Sequence, residues 1–377
     1  MTDGARNVKR PNVHRNALTR EPGKRVRPTI RDVAKLAGVS VGTVSAAINN
    51  GAVAEETRQH VLRCVAELGF EPNSAARSLT KGRASAIGFV VPDLGNPFFA
   101  AVAEGVQRGA AESDVLLVLC ITEAQVEREE YYARVLRTKR LDGMIYLSGS
   151  GLPSPSLLEM ARRGAMVFVD ESLPGVDAPF VRAENRAGAR AIAHEVLVAG
   201  HRRLAIIGGP PRLWTSEQRL AGYREAAAAA GLDPDAVPVV SGDYTEASGY
   251  AAATQLLSGA RNRRPTAILC ANDLMAVGVI RRCRELGLQI PRDISLTGFD
   301  DIPSAELLDP ALSTVAQPAK AMGEAAARLL IHAIGGTIKP PEVTEFKTTV
   351  RLRHSIAAPP SDAPLRRGLM GDDTLTL

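Results

Sequence analysis

Apolar positions along the chain follow two different periods. Between 29 and 69 they recur at helical spacing, with Val33, Ala34, Leu36 and Ala37 on one face. Val44, Ala47 and Ile48 form a second such face, and Val61, Leu62, Val65 and Leu68 a third. Thr29, with an acid three residues on at Asp32, predicts a capped start to the first helix. Gly38 suits the left-handed corner that ends it, Ser40 caps a second helix over 41–49, and Gly69 stops a third over 55–68. Ala34 is small and lies four residues before Gly38, and Val44 lies six after it. The first two helices can therefore cross closely and lock, which predicts a helix-turn-helix. From Ser85 the pattern changes. Short apolar runs at 87–91, 115–121, 143–147, 166–169, 204–207, 237–240, 267–270 and 294–297 alternate with amphipathic stretches such as 99–112, 125–138 and 187–199. Buried parallel strands joined by helices read this way. Alternation sustained over ~270 residues implies a doubly wound α/β body, long enough for two lobes with a cleft beyond the strands' carboxyl ends.

Composition narrows this picture. The 377 residues are 45% hydrophobic and 23% charged, enough for two or three domains with proper cores. The longest apolar stretches, 86–92 and 115–121, fall well short of the ~20 residues that cross a bilayer, so no membrane partner is expected. Residues 1–28 lack the apolar core of an export signal, and the cysteines at 64, 120, 270 and 283 are scattered, without the paired spacing of a disulfide framework or zinc site. A cytoplasmic protein with reduced, buried thiols is the expectation. Charge is divided unevenly: residues 1–83 hold 15 Lys and Arg against 7 Asp and Glu, the remainder 31 against 34. That asymmetry suits a basic module aimed at a polyanion, or equally a solvated tail without a partner. Residues 1–28 carry eight of the basic residues and few apolar ones, and read as a disordered tail. Residues 357–377, with Pro359, Pro360 and Pro364, read as a second loose tail.

Enzymatic motifs are missing or out of context. Gly38-Val-Ser40-Val-Gly42 has the letters of a hydrolase nucleophile elbow, but that motif needs a buried strand in front of it and the preceding period is helical. Neither a P-loop nor His-Glu-x-x-His occurs, and His194-Glu195 meets its next histidine only at His201. No enzyme activity, cofactor or metal is expected.

The run Thr29-Ile-Arg-Asp-Val-Ala-Lys-Leu-Ala-Gly-Val-Ser-Val-Gly-Thr-Val-Ser45 resembles the lactose/galactose-repressor (LacI/GalR) family of bacterial transcription regulators. The resemblance continues through Thr57-Arg58, Leu68-Gly-Phe-Glu-Pro-Asn73, Ala76-Arg-Ser-Leu79, Asn96-Pro-Phe-Phe99, Gly200-His201, Arg219-Leu-Ala-Gly-Tyr223, Ala271-Asn-Asp273 and Gly298-Phe-Asp-Asp301. It covers about 28–356. The implied fold is an all-α helix-turn-helix headpiece (29–71) plus hinge helix and linker (72–84), joined to an α/β two-lobed periplasmic-binding-protein-like core (85–356) with two doubly wound parallel sheets. The lobes would comprise 85–183 with 317–342, and 184–316 with 343–356. The chain would cross between them near 183–184, 314–317 and 341–343. The implied function is a transcriptional repressor that binds a pseudo-palindromic double-stranded DNA operator as a homodimer, under control of a small-molecule effector, a sugar or related metabolite. A sugar-binding protein without DNA function, or a sugar-active enzyme, would share parts of this body but not the basic headpiece. The C-terminal leucines lack heptad spacing, which favours a dimer over a tetramer.

By the same resemblance Ser40, Val41, Gly42, Thr43, Ser45, Ala46 and Asn49 face the major groove, with Thr29 near a phosphate. Asn73, Ala76 and Leu79 belong to a hinge helix, with Leu79 as a minor-groove wedge. Ala46 and Gly42 depart from larger residues common at these positions, Ala46 from an arginine. The helix has no Arg, Lys or Gln for a bidentate guanine or adenine contact, and Asn49 can donate to phosphate or base, so specificity should lean on DNA deformation. The resemblance assigns the effector site to Asp93, Asn96, Phe98, Phe99, Asp170, Arg219, Tyr244, Asn272 and Asp300, with Trp214 at the rim. Strand-end acids with one arginine suit vicinal hydroxyls. Asp273 and Asp301, by contrast, suit helix caps, and one phenylalanine of the pair suits the core.

Overall fold

The structure, a computed structural model, describes residues 28–49, 51–70, 86–336 and 343–360. The hinge positions Asn73, Ala76 and Leu79, and most of both tails, lie outside the described residues. The chain divides into two units, 1–80 and 81–377.

In the first unit three helices, α1 (Ile30–Ala37), α2 (Val41–Ile48) and α3 (Glu55–Leu68), enclose a small core. Val33, Ala34, Ala37, Val44, Ala47, Val61 and Cys64 fill it. Two leucines expected there are elsewhere: Leu36 is 43% and Leu62 45% exposed, while Cys64 is buried. Three short helices enclose a stripe only one or two residues wide, and residues at its margin stay in solvent. Thr29 and Asp32 form the expected capping pair, the Thr29 backbone N–H and hydroxyl each donating to Asp32 Oδ2 at 2.8 Å. Gly38 takes the left-handed conformation (φ 66°) at the corner.

The second unit has two lobes. The larger sheet carries six parallel strands in the order β11 (Val343–Phe346), β5 (Phe180–Ala183), β4 (Met166–Val169), β3 (Gly143–Tyr146), β1 (Ala86–Val91), β2 (Leu116–Ile121). Helices α4 (Pro97–Ala111) and α11 (Ala319–Ile334) cover one face, and α5 (Val126–Arg137) and α6 (Pro155–Arg162) the other. Alternate residues serve the two cores: Ile87, Phe89 and Val91 pack toward α4, Val90 toward the opposite side. Helices α4 and α11 touch backbone to backbone. A Cβ on Gly105 would lie 2.0 Å from Lys320 O, and one on Gly323 2.2 Å from Val102 O.

The smaller sheet has the parallel order β7 (Val239–Ser241), β6 (Leu204–Gly208), β8 (Ala267–Cys270), β9 (Ser295–Thr297). Helices α7 (Asn185–Val198) and α8 (Trp214–Ala229) cover one side, α9 (Glu246–Leu257) and α10 (Asp273–Glu285) the other. An antiparallel pair, β10 (Thr314–Ala316) and β12 (Thr349–Arg351), extends it through single bridges from Thr297 to Ser313 and Asp300 to Ala316. At the end remote from the other lobe, His201 is buried and pins the C-terminal segment, its Nε2 lying 2.8 Å from Ala357 O.

The chain passes between lobes after β5 and again after β10. The third passage differs from the expected 341–343. Val343–Phe346 pairs in parallel with Phe180–Ala183 and so belongs to the larger lobe, and the chain crosses between 346 and 349. This edge strand alternates exposed and half-buried residues and includes Thr344 and Glu345, so no apolar run marks it. A second difference concerns 115–121, expected as a buried strand. β2 is the opposite edge of the sheet, with Leu116 64%, Leu119 45% and Val118 and Ile121 each 36% exposed.

Candidate functional site

Helix α2 carries no charged residue. Its first turn is organised locally: Ser40 Oγ accepts from Thr43 N at 3.0 Å and lies 2.9 Å from Thr43 Oγ1. At the far end Asn49 Nδ2 folds back to Ser45 O at 2.9 Å. Two of the residues expected at DNA thus already cap the helix, each with hydrogen-bonding capacity left over. Val41 and Gly42 are exposed, and Thr43, Ser45 and Ala46 half-buried. Gly42 has room for a side chain, since a Cβ there would meet only Ser40 Oγ, at 3.6 Å. Arg58 has a structural role: it donates to Ala47 O (2.8 Å) and Gly51 O (2.7 Å), tying the end of α2 to α3.

In the second unit the carboxyl ends of the two sheets meet. Asp170 and Glu171 follow β4, Tyr244 follows β7, Ala271 and Asn272 follow β8, and Asp300 follows β9. Arg219 reaches the centre from α8. It is 3% exposed, donates through Nε to Asn185 Oδ1 (2.7 Å) and through Nη1 to Ala271 O (2.6 Å), and pairs with Asp300 at 3.4 Å. Its guanidinium lies 4.0 Å from the centre of the Phe299 ring. Burial raises the pKa of all three carboxyls. For Asp170 burial outweighs the opposing Arg219 charge and the value reaches about 7. Glu171 reaches about 8, from burial and the Asp170 charge. Asp300, nearest the guanidinium, rises only to about 6. Asp170 (φ 66°), Tyr244 (φ 69°) and Asp300 (φ 107°) all hold positive φ, which costs a non-glycine residue roughly 1–3 kcal/mol. Three such residues at the meeting of two lobes mark a place where side-chain direction outweighs backbone ease.

Other contacts cross the same boundary. Glu171, from the larger lobe, accepts from the Thr215 hydroxyl of the smaller one, and that hydroxyl lies 3.1 Å from Tyr244 Oη. The Arg182 guanidinium stacks 4.8 Å over the ring of Trp214. Gly151 approaches the Arg212 carbonyl so closely that a Cβ would lie 2.5 Å from it.

The residues expected in the effector site therefore separate. Asp170, Arg219, Tyr244 and Asp300 gather at the interlobe centre. Asn272 is there too, but its side chain caps α10 by accepting from Met275 N (3.0 Å) and clips the Tyr244 carbonyl (2.9 Å). Asn96 caps α4, accepting from Phe98 N at 3.0 Å. Asp93 is exposed and turns its own loop by accepting from Gly95 and Asn96 N–H groups. Phe98 and Phe99 both join the large apolar core. Asp273 is buried between Ile302 N and the Thr314 hydroxyl. Sequence reading passed over Glu171, Thr215 and Gln317. The doubled acid after an apolar strand was a signal for Glu171; Gln317, whose Nε2 donates to Asp300 at 2.8 Å, had only its place at a lobe crossing.

A helix-turn-helix unit, and an α/β unit whose two lobes enclose strand-end charges, together define a ligand-responsive DNA-binding regulator. The comparisons agree. Residues 29–73 match the lacI family of bacterial regulatory proteins, and residues 193–356 a periplasmic binding protein-like domain. The chain belongs to the lacI family. It is 36% identical over 336 residues to the HTH-type transcriptional repressor PurR of Proteus mirabilis (strain HI4320), covering 88% of this chain and 98% of that one. To PurR of Aliivibrio fischeri (strain MJ11) it is 35% identical over 334 residues, covering 87% and 98%. Among solved structures, a transcriptional regulator CelR–cellobiose complex matches at 33% identity and TM-score 0.66, covering 87% of this chain and all of that one. The lac repressor dimer bound to operator and the anti-inducer ONPF matches in fold, at 24% identity and TM-score 0.77, covering 88% and 99%.

Proposed function

We propose that this protein is a transcriptional repressor that binds a pseudo-palindromic operator as a homodimer and is switched by a small hydroxylated effector between the lobes of its core. The observation that carries this reading is the Asp170–Arg219–Asp300 cluster, whose members come from both lobes and are buried only where the lobes meet. A ligand there can shift the arrangement of the lobes because it touches both, and its differential affinity sets the size of the shift. Similarity to the PurR repressors and to CelR solved with cellobiose supports small-molecule control of DNA binding.

On the DNA side, Val41, Gly42, Thr43, Ser45 and Ala46 form the reading surface of α2, while Ser40, Asn49 and Thr29 hold backbone groups in place near phosphates. Exposed Arg31 and Lys35, together with the basic residues of 1–27, supply sequence-independent attraction. Asn73, Ala76 and Leu79 act through the hinge, with Leu79 as the wedge that lowers the cost of a kink. The exposed apolar edge strand β2 is the surface for a second copy of the chain, since an edge strand with four exposed aliphatic residues is otherwise a liability. The site is a binding site rather than a catalytic one, and the protein works in the cytoplasm. Selection of genomic fragments by the purified protein, at several salt concentrations and with and without a pool of small metabolites, tests the proposal. Enrichment of a palindromic site, altered by the pool, is expected; uniform retention of all fragments would refute it.

A further inference from the structure

The interlobe site is unbalanced in charge and in hydrogen bonding. Asp170, Glu171 and Asp300 are buried there, and Arg219 is the one cation that the described residues set against them. Arg219 is also occupied: two of its nitrogens serve Asn185 and Ala271, and Phe299 covers its plane. Two acceptors lack a donor. Asp170 Oδ1 has none, and neither does Gln317 Oε1, on a side chain 93% buried whose amide nitrogen is held by Asp300. A buried acceptor without a donor costs free energy, and a surplus of buried carboxylates costs more. Both deficits are of one kind, a shortage of N–H or O–H groups and of positive charge.

We infer that the effector carries a protonated amine, seated between Asp170 and Gln317. This rests on the reading of the interlobe cluster as the effector site. An ammonium group brings three donors and no acceptor, together with the missing charge. A hydroxyl supplies one donor and leaves the charge uncorrected. A phosphate or carboxylate adds a like charge among carboxylates and finds the Arg219 guanidinium already engaged. Without a cation, the site balances itself by keeping protons on Asp170 and Glu171, so amine binding competes with protons and strengthens as pH rises from 6 to 8.

The test uses the full-length protein and two matched series: glucamine, sorbitol and gluconate, and glucosamine, glucose and glucuronate, at millimolar concentration. Thermal shift and titration calorimetry read the binding. Glucamine, an alkylamine that stays protonated, is expected to bind at least about tenfold more tightly than sorbitol at pH 8, an energy of the size that one opposite charge supplies; glucosamine, a weaker base, is compared with glucose at pH 7, where it still carries its charge. The advantage should shrink at pH 6 and disappear in Asp170→Asn, and Gln317→Leu, which keeps the carboxylates, should reduce it. Equal binding of amine and alcohol, binding of either carboxylate, or no shift from any amine overturns the inference. Polyol binding that is lost in Asp300→Asn would remove only the charge assignment and leave the effector site in place. Amine binding that survives both Asp170→Asn and Asp300→Asn would place the amine elsewhere and count against the effector-site reading itself.

Discussion

The two working regions of this protein solve opposite problems. On α2 the side chains offered to DNA are small, uncharged and exposed or half-buried, and the helix is positioned by local caps at Ser40 and Asn49. Between the lobes the side chains are large, ionisable and buried, and are positioned by segments more than 100 residues apart in sequence, such as Asp170 and Asp300. The first arrangement tolerates change because water screens whatever is added. The second does not, because every charge in it is balanced against the others in a low-dielectric setting. A surface for reading a long polyanion can be weak at each contact and add them up; a site that must register one small molecule concentrates its energy in a few groups.

That contrast can be broken most severely at Arg219. Replacing it with methionine leaves Asp170 and Asp300 buried without a cation and is expected to lower core stability by about 3–5 kcal/mol, read from urea denaturation at pH 7.5. A loss below about 1 kcal/mol would show that the carboxyls simply take up protons instead.

The next effect is on pH. Asp170 and Glu171 titrate near 7 and 8 in the folded chain, against roughly 4 when unfolded. Between those values the folded protein holds more protons than the unfolded one, so core stability falls as pH rises from about 5 to about 8, by a few kcal/mol in total. Denaturation midpoints across that range should decline, and the double variant Asp170→Asn, Glu171→Gln should flatten the profile. A midpoint that rises with pH in the wild-type protein would contradict the burial of these groups.

On the DNA side, Ala46→Arg adds a bidentate donor to a helix that has none, and is expected to change the preferred base at one operator position by about 1–3 kcal/mol, measured by selection from a random duplex library. An unchanged preference would place Ala46 away from the bases. The smallest effect is that of Thr29→Ala, which removes one partner of the capping pair and should cost the headpiece about 1 kcal/mol in thermal stability.

Legibility followed the range of the interactions. The headpiece was readable almost residue by residue, because capping, the Gly38 corner and a one-sided apolar stripe all act within four residues. Its misplaced leucines, Leu36 and Leu62, sit at the margin of that stripe, where period alone does not separate inside from outside. Central strands of both sheets were readable as apolar runs. The edge strand at 343–346 and the short strands at 180–183, 314–316 and 349–351 were not, being brief and partly polar, so the third lobe crossing was placed too early. In the cleft, the family resemblance pointed to Asp170, Arg219 and Asp300, which the structure gathers between the lobes. The same resemblance also named Asn96, Phe98 and Phe99, whose side chains are taken up by helix capping and core packing.

The amino-acid sequence by itself determined the local devices and the alternation of strands and helices, since hydrophobic period, caps and turn residues act over a few positions. Only the tertiary structure decided which ionisable groups share a buried space, that Asp170, Glu171 and Asp300 face one committed guanidinium, and that Gln317 joins them. Burial and charge balance depend on what lies opposite in space, and no spacing along the chain records that.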